Sequence, residues 1–329
     1  LERVLVTGSS GFVGQTLVPM LLEEGFEVWG ADRSSGGETF PGKKFLEFDL
    51  SDTEDIDSLL AEAAPDFIVH LAALSSAGRS FEEPSKTIEA NMLPALRLLE
   101  VLRKKGMKCR LLAIGSADEY GPVNGADLPI SEDVDPNPVN PYALSKLLQE
   151  KCCLLYAALY HVDVVLTRSF NHTGPGQTDT FVLPSFARQV VEIKRGWREP
   201  VISTGDSEVC RDFLDVRDAA AAYMALLRRG ASGRIYNVCS GRSYKLKDLL
   251  NRLCKIAGVN PAIKTAAGKL RPSETRQLVG SNSRIQQDTG WCPRFDIDKT
   301  LRSLVEFWEK ELKKMDNKTS NKLVGGNDE

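Results

Sequence analysis

Hydrophobic positions in the first half of the chain gather into short unbroken runs: Val4 to Val6, Glu27 to Gly30, Phe45 to Phe48, Phe67 to Leu71, Leu111 to Ile114 and Val162 to Thr167. Runs that do not alternate with polar residues are expected of parallel strands covered on both faces. Longer stretches of helical pattern lie between them, and this alternation predicts an α/β fold built on a doubly wound parallel sheet. Ser51-Asp52-Thr53-Glu54 has the spacing of a capping box, in which hydroxyl and carboxylate each satisfy a free amide, and opens a helix predicted to run to about Ala64. Pro84 to Lys105 predicts another long helix, although Pro94 inside it must remove a hydrogen bond or bend it; Pro19 poses the same problem in the first helix.

Past residue 170 the texture changes to Gly- and Pro-bearing loops, Thr173 to Gly176, Gly196 to Pro200 and Gly268 to Pro272, among short strands and helices. The expected organisation is a sheet domain over residues 1–170, rejoined by segments near 206–240, and a smaller α/β unit over 171–312. Residues 313–329, polar and glycine-bearing, read as a disordered tail.

The 42 basic and 45 acidic residues leave a net charge of -3, which offers no chain-wide attraction for nucleic acid or an anionic membrane. No apolar run approaches the roughly 18 residues of a membrane span, and no signal-like segment opens the chain. Seven cysteines form no CxxC pair and no metal-ligand spacing, and the three histidines are too few to suggest a zinc site, so no metal is expected. Reduced thiols in a cytoplasm are the simplest setting.

The first run leads straight into Thr7-Gly8-Ser9-Ser10-Gly11-Phe12-Val13-Gly14, a GxxGxxG pattern between a strand and a helix. Glycine there permits a tight turn and close backbone approach to a pyrophosphate, while the helix start supplies unpaired amides; this is the Rossmann arrangement for a dinucleotide. Gly8, Gly11, Phe12, Val13 and Gly14 are the candidate pyrophosphate contacts. Asp32, 18 residues beyond Gly14 and at the end of the second run, is placed to accept from the ribose hydroxyls of NAD. Arg33 beside it could instead take a 2′-phosphate, so NAD and NADP both stay open. Asp49 and Leu50 are candidates for the adenine, and Leu71, Ala72 and Ala73 for backbone contact with the cofactor.

Tyr142 and Lys146 stand four residues apart, on one face of a helix predicted to begin near Pro141. A free phenol, with a pKa near ~10, moves protons poorly at neutral pH; a fixed ammonium nearby is expected to lower that value and make Tyr142 a usable acid or base. Ser116 follows the fifth run, at the carboxyl edge where open α/β sheets hold ligands.

Ser116, Tyr142 and Lys146 behind this glycine motif resemble the extended short-chain dehydrogenase/reductase superfamily, over residues 1 to about 312. The resemblance implies that Tyr142 exchanges a proton with a sugar hydroxyl or ketone, that Lys146 tunes it and holds the nicotinamide ribose, and that Ser116 orients the substrate. GSADEYG (115–121), RSFNHTGPGQ (168–177), RDFLDVRD (211–218), YNVCSG (236–241) and LRPSE (270–274) look like the branch acting on GDP-mannose derivatives. In that branch Asn171, Arg211, Arg271 and Glu274 become candidate GDP-sugar ligands, the arginines because their planar forks suit phosphate. His172 is assigned no proton transfer, and the Asn171-His172-Thr173 sequon is read as accidental.

FNHTGPGQ and LRPSE look most like the ketosugar reductases of the branch. The implied reaction is reduction by NAD(P)H of the C4 ketone of GDP-4-keto-6-deoxy-D-mannose, giving GDP-D-rhamnose. A GDP-mannose 4,6-dehydratase is the alternative; Asp118, a further candidate catalytic group, occupies the place where the resembled dehydratases carry Glu, and 178–183 lack the basic residues expected of them. A UDP-hexose 4-epimerase and a catalytically silent nucleotide-binding scaffold complete the set. The two helices that form a four-helix interface in this family, Pro84 to Lys105 and Tyr142 to Tyr160, are present, implying a homodimer.

Overall fold

The computed structural model describes residues 1–33, 43–50, 53–266 and 276–324. Two units divide the chain. The larger takes Leu1–His172 and Cys210–Ser243 together with 276–294. Its centre is a seven-stranded sheet with β1 (Arg3–Thr7), β2 (Glu27–Asp32), β3 (Lys43–Glu47), β4 (Phe67–His70), β5 (Arg110–Ser116), β6 (Val164–Ser169) and a last strand, Ile235–Val238. Their spatial order is Ile235–Val238, β6, β5, β4, β1, β2, β3, and every pairing is parallel. β1 lies between β4 and β2, so the order of connection reverses at its carboxyl end, where such sheets hold ligands.

The unbroken apolar runs are explained by cover on both faces. Along β1, Val4 and Val6 enter a cluster with Leu17, Leu21, Tyr223 and Leu226, whereas Leu5 points the other way, to Leu59, Leu60, Ile68, Leu98 and Leu102. All are buried, each such side chain stabilising the fold by about 1.5–3 kcal/mol relative to exposure. The covering helices are α1 (Phe12–Glu23), α2 (Thr53–Ala63), α3 (Pro84–Lys105) and α4 (Pro141–Tyr160), with Val216–Arg229.

α3 runs unbroken through Pro94, which is buried beside Ala95 and Leu98; packing compensates the hydrogen bond that the ring removes. Arg103, Lys104 and Lys105 in its last turn complement the helix dipole, and Gly106, at φ 58°, closes it in the left-handed region. Pro19 likewise lies inside α1 without ending it. α2 begins at Thr53; Ser51 of the predicted capping box lies outside the described residues.

The smaller unit takes Thr173–Val209, 244–266 and 295–324 among the described residues. Helices Val182–Lys194, Leu246–Ala257 and Ile297–Val324 pack together beside the parallel pair Val201–Thr204 and Ala262–Thr265. Leu183, Phe186, Leu250, Leu253, Leu301 and Leu304 form its buried interior. The helix ending at Val324 extends into the stretch read from sequence as a tail.

Candidate active site

The glycine-rich turn is shaped by close approach. At Gly8 (φ +73°) a Cβ would stand 2.8 Å from the Ala72 amide nitrogen, and at Gly14 it would stand 2.4 Å from the Ser9 carbonyl oxygen. Only glycine fits both places. α1 then starts behind Gly11 with no side chain capping it and no acid in its first turn, so its free amides and positive dipole end remain available to a pyrophosphate. The cradle fits a dinucleotide.

Asp32, the last residue of β2, is drawn against this turn: its Oδ2 accepts from Ser9 Oγ at 2.6 Å and from the Ser10 amide at 2.9 Å. Ser9 and Ser10, which a glycine pattern leaves unspecified, thereby fix the carboxylate expected to meet the ribose. Arg33 follows, exposed. At the end of β4, the Leu71 amide donates to the Thr7 carbonyl at 3.1 Å and the Ala72 amide to Thr7 Oγ1 at 3.4 Å, bringing Leu71–Ala73 alongside Gly8. Leu50 is buried in the core and its carbonyl accepts from Arg97 at 3.2 Å; Asp49 beside it is exposed. The His172 ring stacks on Phe12 at 6.2 Å, so it belongs to the wall of the cradle.

Ser116, Asp118, Tyr142 and Lys146 come together at the carboxyl end of β5. Asn140 caps α4 by accepting from the Ala143 amide at 2.8 Å, and Pro141 supplies a first helical residue needing no donor. One turn of that helix then separates Tyr142 from Lys146. The Ser116 hydroxyl lies close enough to the Tyr142 phenol to favour its ionised form. Lys146 is buried and donates to the Ile114 carbonyl at 2.8 Å and to Gln149 Oε1 at 3.2 Å. Burial pulls its ammonium down to about 8, with the charge of Glu119 opposing.

The electrostatics correct one expectation. Tyr142 is pushed above the ordinary phenol value, first by burial and then by the negative charge of Asp118, while the Ser116 hydroxyl pulls the other way. The anticipated lowering by Lys146 is not among the main influences on the phenol, and that ammonium donates to the Ile114 carbonyl. The phenol is thus held in its neutral, proton-bearing form, a weaker acid than free tyrosine until positive charge is brought to it.

Residues remote in sequence hold this arrangement. The buried Asn91 side chain pairs with Leu74 through both its backbone groups, at 2.7 and 3.1 Å, and donates to Ser145 Oγ at 2.9 Å. Of the proposed GDP-sugar ligands, Asn171 is exposed and Arg211, in the short strand Cys210–Arg211, donates to the Cys210 carbonyl at 2.9 Å. Arg271 and Glu274 lie outside the described residues. Among the described residues no cluster suits a metal ion, and no helix is long and apolar enough to cross a membrane.

A dinucleotide cradle at the reversal point of a parallel sheet, with a Ser/Tyr/Lys set at the next strand end, defines an extended short-chain dehydrogenase/reductase. The model of the GDP-mannose 4,6-dehydratase family matches residues 5–304, and the chain belongs to that family. It is 38% identical to the GDP-6-deoxy-D-mannose reductase of Pseudomonas aeruginosa, over 95% of this chain and 99% of that one. The solved structure of RMD from Pseudomonas aeruginosa complexed with NADPH superposes with a TM-score of 0.83 at 37% identity, covering 94% of this chain and all 100% of the other. A UDP-glucose 4-epimerase from Thermus thermophilus in complex with NAD gives a TM-score of 0.84 at 30% identity, covering 93% and 98%.

Proposed function

We propose that the protein reduces the C4 ketone of GDP-4-keto-6-deoxy-D-mannose to GDP-D-rhamnose, using NADH or NADPH. The observation that carries the reading is the Ser116, Tyr142 and Lys146 set at the carboxyl end of β5, in a chain 38% identical over nearly its whole length to a GDP-6-deoxy-D-mannose reductase. When bound, the nicotinamide supplies the hydride. Tyr142 donates the proton to the C4 oxygen, Ser116 orients that oxygen, and the Lys146 ammonium holds the ribose and stabilises the phenolate as it forms. The backbone of Gly8 to Gly14 would hold the pyrophosphate, and Asp32 or Arg33 would meet the adenosine ribose. Asn171, Arg211, Arg271 and Glu274 take the GDP-sugar.

A second reading, GDP-mannose 4,6-dehydratase, is favoured by the family to which the chain belongs; Asp118, in the place of the Glu that serves as base in the resembled dehydratases, is a shorter carboxylate and weakens it. Incubation of the purified protein with GDP-mannose, or with its 4-keto-6-deoxy derivative and each reduced cofactor, separates the two by the mass and NMR spectra of the products. Ketosugar formed from GDP-mannose without net cofactor use overturns the reductase in favour of the dehydratase.

A homodimer formed through α3 and α4 belongs to the same proposal, supported by Leu144, Leu155, Leu159 and Tyr160 exposed on α4. A cytoplasmic setting accords with seven cysteines that are all free thiols.

A further inference from the structure

Glu119 takes no part in the proton transfer just described, yet it is wholly buried behind Ser116. Its Oε1 accepts from the Ser116 amide at 2.7 Å, completing a capping box in which Ser116 Oγ accepts from the Asp118 amide at 3.2 Å. Oε2, equally buried, makes no hydrogen bond; Arg168 Nε stands 3.9 Å from it, and the Arg168 guanidinium donates instead to both carboxylate oxygens of Glu150, from Nε at 2.8 Å and from Nη2 at 2.9 Å. The backbone leaves room for this carboxyl, since a Cβ on Gly115 would fall 2.7 Å from Glu119 Oε1 and 2.3 Å from the Thr167 carbonyl oxygen.

An apolar side chain could fill such a space without burying a half-satisfied acid, an arrangement unfavourable for stability alone. What the carboxyl adds is an acceptor aimed at the main chain of the residue whose hydroxyl meets Tyr142. We propose that Glu119 is a positioning residue: its Oε1 fixes the Ser116 backbone, and through it sets the Ser116 hydroxyl against the Tyr142 phenol. The inference rests on the roles of Ser116 and Tyr142 proposed above. Burial and the neighbouring Glu150 push the Glu119 carboxyl up, toward the neutral acid, so a glutamine amide is a close mimic.

Glu119→Gln keeps the acceptor, and Glu119→Leu removes it at similar bulk. The glutamine variant is expected to hold kcat within about threefold of the wild type, whereas the leucine variant loses on the order of 10- to 100-fold, the effect of a small misplacement of a reacting group. The ketosugar KM and the Kd for NADH or NADPH, read by nicotinamide fluorescence, move by less than about threefold in both, because binding groups are untouched. Hydrogen exchange at the Ser116 amide, measured without substrate, is protected in the wild type and in Glu119→Gln and about tenfold or more faster in Glu119→Leu. Equal exchange in the two variants, or a glutamine kcat as low as the leucine one, overturns the proposal. Exchange needs no turnover, so a wild type inactive on the ketosugar sinks the functional reading while exchange still decides the role of Glu119. Should Glu119→Leu not fold, loss of Ser116 protection in Glu119→Gln overturns the proposal by itself.

Discussion

The Asn91 side chain donates to Ser145 Oγ across 2.9 Å, a buried bond that, with Tyr156 Oη donating to Glu100 at 2.9 Å, ties α3 to the helix that carries Tyr142 and Lys146. Asn91 also holds the loop after β4 through Leu74. Asn91→Ala strips a partner from three groups and is expected to destabilise the protein by about 1–3 kcal/mol, the penalty of buried polar groups left unmade. Thermal unfolding of the variant and wild type measures it; an unchanged Tm would show that the network is dispensable.

Tyr142→Phe removes one hydroxyl and no volume of consequence. The expected result is retained cofactor binding with kcat lowered on the order of 10²- to 10⁴-fold, the usual contribution of a positioned acid. Stopped-flow reduction together with fluorescence titration of NADH and NADPH reads both quantities. Near-normal turnover would exclude the phenol as the acid.

Lys146 produces opposite pH trends in stability and activity. Its folded value is about 8, and the unfolded lysine titrates near ~10.4. Between these the unfolded chain holds more protons, so the contribution of this residue to folding stability rises with pH. The proposed role requires the ammonium, so kcat/KM for reduction falls above pH 8, approaching about tenfold per pH unit. Parallel profiles of Tm and kcat/KM test both signs, and a rate profile flat through this window would remove the charge from the mechanism.

Gly14→Ala places a methyl group 2.4 Å from the Ser9 carbonyl oxygen. The turn must shift, weakening cofactor binding by about tenfold or more and destabilising the fold by about 1–3 kcal/mol, as overpacking does. Cofactor titration and denaturant unfolding give the two numbers. Wild-type affinity in this variant would mean that the pyrophosphate does not sit on this turn.

The sheet was legible because cover on both faces leaves an unbroken apolar run for each strand, and the Tyr142/Lys146 pair because one helical turn fixes it in sequence. Asp32 was legible as a residue at a strand end, yet its partners Ser9 and Ser10 were not, since an unconstrained position in a glycine pattern carries no sign of what its hydroxyl will meet. Asn91 and Glu119 escaped notice for a related reason: each looks like an ordinary helix or turn residue until the chain brings Ser145 or Arg168 beside it. The helix through Pro94 was legible too, but the packing that compensates the lost hydrogen bond was not, because it comes from elsewhere in the fold. The direction of the Tyr142 shift depended on burial and on the nearby charge of Asp118, neither of which the spacing of Tyr142 and Lys146 reveals.

The sheet unit draws on stretches separated by long excursions, and this bears on how the chain folds as it is made. Val4, Val6, Leu17 and Leu21 emerge from the ribosome early, but Tyr223 and Leu226, which cover the same face, and the edge strand Ile235–Val238, which pairs with β6, follow much later. Until then a nascent chain exposes an apolar sheet face and an unpaired strand edge, both prone to association. Truncation after residue 172 would freeze that state, so the cofactor domain, although contiguous over most of its length, is not expected to be separable by a single cut.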